Sequence, residues 1–164
     1  MKSFIVSIAL ILLFNIYTVF QIDSDTYRRQ LERLKFVAEE CADSAALYYD
    51  LEAYSQGKII YNQDEGIKAI EYMLKTHLKL DDSLKPVSGY WQDQIQYDVY
   101  FIDEKNYTFP YEFPYEFIDA RTGYKMYIFE PTVIVTIEAG RGRMRLPFLS
   151  INSSIRSSAY EYLN

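Results

Sequence analysis

The chain has 164 residues, a formal net charge of −6 and a hydrophobic share of 49%, which excludes a disordered tail and suits one domain with a real core. A single cysteine, Cys41, excludes an internal disulfide, and one histidine, His77, makes a zinc site an unpromising reading. Residues 23–120 carry a balance of −10 and residues 121–164 one of +3. Such a bipolar chain can orient neighbours, but it lacks the concentrated basic footprint that nucleic acid requires.

The first element is "SFIVSIALILLFNIYTVFQI", Ser3 to Ile22, twenty residues without a charge. As a helix it spans about 30 Å, the thickness of a bilayer's hydrocarbon core, so residues 1–22 are predicted to form a transmembrane helix. A secretory leader has a shorter apolar region and ends at a small-x-small cleavage site. "NIYTVFQIDSDTY" offers none, and the anchor is expected to stay with the mature chain. Ser7 and Thr18 share a helix face, with Asn15 close to it. Helices associate in lipid through close packing and hydrogen bonds, so Ser7, Asn15 and Thr18 are the candidate membrane-helix packing residues. Arg28, Arg29, Arg33 and Lys35 follow the run and only Lys2 precedes it; taken alone, the positive-inside rule would put the remainder in the cytoplasm. The architecture that follows favours an extracytoplasmic domain instead.

Residues 23–164 read as that domain. Leu31, Leu34, Ala38, Cys41, Ala45 and Tyr48 recur at helical spacing, and neither Gly nor Pro occurs before Gly57, which predicts a helix over 25–55. It can start at a local cap, Ser24 or Asp25, or continue the membrane run with a bend near residues 22–25. The small residues on its stripe permit close approach, so Leu31, Leu34, Ala38, Cys41 and Ala45 are candidate packing residues, against the chain's own sheet or against another subunit. "DEGIKAIEYMLKTHLKL" predicts a second helix over 64–79, with acids at its start and His77 near its end.

After the loop "DDSLKPVSG" the period changes to two, and strands are expected over about 90–160. "YWQDQIQYDVYFID" is the clearest, followed by "YKMYIF", "TVIVTIE" and "RMRLPFLS"; "SIRSSAYEYL" reads as a last strand or a short helix. Between them "TFPYEFPYEF" repeats Phe-Pro-Tyr-Glu, and its prolines confine it to an edge or loop. Phe109, Tyr111, Phe113 and Tyr115 of that repeat form a candidate aromatic edge for a sugar or a partner. Arg141, Arg143 and Arg145, placed in a strand, would project to one face as a cationic strip for docking an acidic neighbour or an anionic polymer. An equal reading is a solvated hairpin face blunted against edge pairing.

Glu112 and Glu116 sit too far apart along an extended segment to act as a glycosidase pair without a fold-back. Asp81–Asp82 lacks the alternating ligands of a calcium loop, and no phosphate loop, dinucleotide fingerprint or nucleophile elbow occurs. No cofactor is predicted, and the chain is not expected to be an enzyme.

Helices first and strands afterwards argue for α+β with an antiparallel sheet. The membrane run, the block "RLKFVAEECADSAALYYD", the short helix and the late strands together resemble pilin-like proteins. They look most like the TadE-type minor pilins encoded with bacterial Tad and related secretion systems, the specific element being the Ala-rich stretch from Phe36 to Tyr49. Two family features are missing: nothing small but Ser3 precedes Phe4, and no acidic residue opens the hydrophobic run. The resemblance implies a non-enzymatic, membrane-anchored component of a surface filament, secretion or conjugation apparatus. Its implied partners are the membrane and other pilin-like subunits or secretion-apparatus proteins, self-association included. The alternative is a single-span protein with an extracytoplasmic binding domain for a protein partner or glycan.

Overall fold

A computed structural model describes residues 2–108, 112–146, 149 and 151–162. The fold is α+β: a long N-terminal helix packed on an antiparallel sheet. Helix α1 runs without interruption from Lys2 to Ala46. Neither Ser24 nor Asp25 caps a new helix, because the backbone through them is already helical and its N–H groups are paired within the helix.

The predicted helix over 25–55 is cut short. The chain leaves the helix after Ala46, and Tyr49 pairs in an antiparallel bridge with Tyr61. Asp50 N–H donates to Ile60 O at 2.8 Å and Asn62 N–H to Tyr48 O at 2.8 Å. Asp50 then caps a short helix α2, Leu51–Ser55, its carboxylate accepting from the N–H groups of Glu52 (2.8 Å) and Ala53 (3.3 Å). An aspartate competes better as a cap than as a mid-helix residue, and the pairing with residues 60–62 supplies the rest.

Helix α3, Gln63–Leu78, falls where the second helix was predicted, within one residue at each end. Asn62 caps it, Asp64 and Glu65 occupy its first turn, and Lys79 closes it in the left-handed conformation with φ 56°. At Gly66 α3 approaches its neighbours closely: a Cβ there would lie 3.0 Å from the Phe101 ring and 3.4 Å from Ala45 O.

Strands β1 (Gln96–Ile102), β4 (Thr132–Ala139) and β5 (Ser154–Glu161) form an antiparallel sheet in the order β1-β4-β5. Val99 faces Val135, and Val135 faces Ser158 across the central strand. Of the two readings for the segment from Ser154, the strand is the one found, over Ser154–Glu161. A hairpin of β2 (Tyr115–Ile118) and β3 (Lys125–Ile128) makes a second, two-stranded sheet. Strand β4 is buried on both faces from Thr132 to Ile137, as its dense β-branched run favours. Val133, Val135 and Ile137 join Leu34, Val37, Ala38, Cys41, Ile70 and Leu74 in the main core beneath the helices. Ile134, one residue out of phase, meets Ile102, Phe117 and Ile128 in a second core under the hairpin.

Two predicted strands are corrected. The strand from Tyr90 starts only at Gln96: before it, Gln92 N–H donates to Arg141 O and Ile95 N–H to Leu84 O, both at 2.9 Å. Trp91 and Ile95 are buried all the same. "RMRLPFLS" forms no strand among its described residues; Gly142, just before it, makes an isolated bridge with Trp91.

Candidate functional site

None of the apolar window that opens α1 is buried, although its length and composition suffice to cross a membrane. Phe4, Leu13 and Phe14 are each more than 60% exposed, so this is not the core helix of the domain. A helix of apolar residues with nothing packed on it is stable in hydrocarbon and costly in water.

Its polar residues turn back on their own helix. Ser7 Oγ donates to Ser3 O at 3.0 Å, Asn15 Nδ2 to Ile11 O at 2.8 Å and Thr18 Oγ1 to Phe14 O at 2.8 Å. Each hydroxyl thereby spends its one proton. Asn15 still holds a second amide hydrogen and its oxygen, so of the three it has the most unused hydrogen-bonding capacity.

Where the apolar run ends, α1 enters the head. Asp23, directly after Ile22, is buried at 3% exposure. Its Oδ2 accepts from the N–H groups of Arg145 (2.9 Å) and Leu146 (3.1 Å). One turn on, the Tyr27 hydroxyl lies 3.2 Å from Ser154 Oγ, at the start of β5. These contacts tie the foot of the head to the helix. A cleft of about 160 Å³ opens there between Phe20, Ser24 and Tyr27 on one side and Met144, Leu149 and Ile151 on the other.

Arg141, Arg143 and Arg145 do not share a strand face, because the chain bends after β4 to meet Tyr90 and Asp23. Arg141 is committed: its Nη2 lies 2.9 Å from Asp93 Oδ1, its Nε 3.0 Å from Oδ2, and its backbone N–H donates to Oδ2 at 2.8 Å. These bonds, the guanidinium's first, hold the Asp93 carboxyl down at about 2, so the pair is ionised at neutral pH. Arg143 N–H donates to Tyr90 O at 2.9 Å. The close fit explains Gly142, whose added Cβ would lie 2.4 Å from the Tyr90 ring. Arg143 and Arg145 themselves are exposed, and neither has an ion pair among the described residues.

The soluble-helix residues are internal to the head. Leu34, Ala38, Cys41 and Ala45 are fully buried in its main core, and Leu31 packs partly buried against it. The choice between own sheet and another subunit is thus resolved for this stripe. Cys41 Sγ lies 3.8 Å from Ile70 O, and burial, with the nearby Glu40 charge adding to it, pushes its thiol up to about 12. It is an unreactive core residue.

Phe109 and Tyr111 of the aromatic repeat lie outside the described residues. Phe113 and Tyr115 are half-buried around Tyr107, with ring centroids 6.1 and 5.4 Å from it. Tyr107, Tyr115, Tyr100 and Phe117 line a shallow cleft of about 420 Å³ beside β1. Asp23 is the residue that sequence reasoning missed; its one signal was position, the first charge after the uncharged run. Compared with protein-family models, curated proteins and solved structures, the chain finds no match.

Proposed function

We propose that this chain is a membrane-anchored, pilin-like structural subunit of a surface filament, secretion or conjugation apparatus, with its head outside the cytoplasm. One observation carries the reading: a single helix, Lys2–Ala46, is bare over its uncharged half and supplies the core of the head over the other. A helix shared in this way transmits orientation and load between bilayer and head. A receptor or enzyme needs only a tether, whereas a subunit stacked among others needs a stiff, oriented stem.

Asn15 is the contact expected to matter for assembly, since its remaining hydrogen-bonding groups find no partner in lipid tails. Asn15→Leu should leave membrane insertion intact and weaken crosslinking between stems severalfold, read with a photo-crosslinker placed at Ile11. Unchanged crosslinking would reduce the helix to a plain anchor. The alternative, a single-span protein with an extracytoplasmic binding domain, is favoured by the aromatic cleft of Tyr100, Tyr107, Tyr115 and Phe117, whose ring faces suit a sugar or an apolar side chain. In that case a crosslinker at Tyr115, rather than at Ile11, captures the partner.

A further inference from the structure

We infer that the foot of the head, residues 143–146 with Leu149 and Ile151, rests on the bilayer and binds anionic phospholipid headgroups through Arg143 and Arg145. The inference depends on the membrane-anchor reading and adds a lipid contact to it. Its basis is the position of Asp23. This carboxylate follows the last residue of the uncharged run and holds the N–H groups of Arg145 and Leu146 at 2.9 and 3.1 Å. A bilayer spanned by Ser3–Ile22 therefore ends at the height of this segment. The headgroup layer adds about 5–7 Å beyond the hydrocarbon on each side, roughly one turn of α1 past Ile22.

The chemistry at that height fits the layer. Arg143 and Arg145 are exposed and unpaired among the described residues, and a guanidinium matches a phosphate with two parallel hydrogen bonds. Met144, Leu146, Leu149 and Ile151 are only half-buried, and Tyr27 beside them has the apolar body and polar tip favoured at membrane interfaces. The nearest carboxylates on α1 do not oppose an anionic surface. Asp23 is buried on two N–H groups, Asp25 pairs with Arg29 at 2.7 Å, and Glu32 pairs with Arg28 at 3.4 Å. Residues 23–120 carry a balance of −10 against +3 for residues 121–164, so an anionic bilayer repels much of the head and attracts this foot.

The test uses the full chain in vesicles of phosphatidylcholine alone or with phosphatidylglycerol added. Leu149→Cys carries a fluorophore, and buried Cys41 stays unlabelled. Quenching is read from lipids spin-labelled just below the headgroup. Ser24→Cys, exposed on the opposite wall of the same cleft, is a second reporter should Leu149→Cys fold poorly. Quenching is expected to be severalfold stronger with phosphatidylglycerol, and to return to the phosphatidylcholine level in high salt or with Arg143→Glu and Arg145→Glu together. Equal quenching in both lipids, or a difference that survives the double reversal, overturns the inference and leaves the foot facing solvent or a protein. Alkaline carbonate extraction of the same vesicles reports the anchor separately. Protein that stays in the membrane without lipid-dependent quenching defeats the headgroup contact alone, and protein that is extracted defeats the anchor reading and the contact together.

Discussion

Asp23→Ala is expected to loosen the foot of the head from its stem and to lower the stability of the head by roughly 3 kcal/mol, the cost of orphaning two N–H groups that a buried carboxylate had satisfied. Alanine cannot replace either bond, and water reaches the site only if the segment at 144–146 lifts away. Asn at the same position keeps one acceptor without the charge and should recover part of the loss. Limited proteolysis of membrane-embedded protein checks the local effect, with faster cleavage near Arg143 and Arg145 in the alanine variant. The Cys41 thiol checks the global one, since it is fully buried and reacts when the core opens. An alanine variant with unchanged proteolysis and thiol protection would show that the bonds to Asp23 do not hold the foot.

Leu34→Ala should destabilise the head by about 3 kcal/mol, the usual loss for a leucine removed from a close-packed core that cannot fully collapse. Leu34 is fully buried and lies on the helix face that meets α3 and the sheet. Leu13→Ala removes the same atoms from the same helix, but from a side chain 63% exposed in the unburied half. It should leave the head's stability unchanged. Urea unfolding in a mild detergent checks both through the buried Trp91, the single tryptophan of the chain. The midpoint should fall for Leu34→Ala without a change in slope and stay in place for Leu13→Ala. Equal shifts would mean that the two halves of α1 do not differ as the burial pattern implies.

Most of the elements were legible because local pattern and tertiary environment agree. The spacing of Leu31, Leu34, Ala38, Cys41 and Ala45 marks a helix face, and that face is buried. "TVIVTIE" reads as a strand, and β4 runs there, between two cores. The failures occur where a distant segment takes over the backbone. Tyr48 and Asp50 bond to residues 60–62, Gln92 bonds to Arg141, and the N–H groups of Arg145 and Leu146 go to Asp23. No period in the sequence signals a carboxylate 122 residues away. The arginine strip failed for the same reason: alternation at 141, 143 and 145 has meaning only in a strand. Asp93 and Asp23 draw that segment into a bend instead.

Whether the stem crosses the membrane and stays with the mature chain is tested most directly by one labelling measurement on intact cells. Lys105→Cys places a thiol at an exposed position of the head, while Cys41 in the core serves as the silent internal control. Cells are treated with a membrane-impermeant maleimide, and the membrane-extracted protein is weighed intact. The expected result is a single added label on a chain that retains residues 1–22. Labelling that requires permeabilised cells, or a mature chain beginning after Ile22, would contradict it.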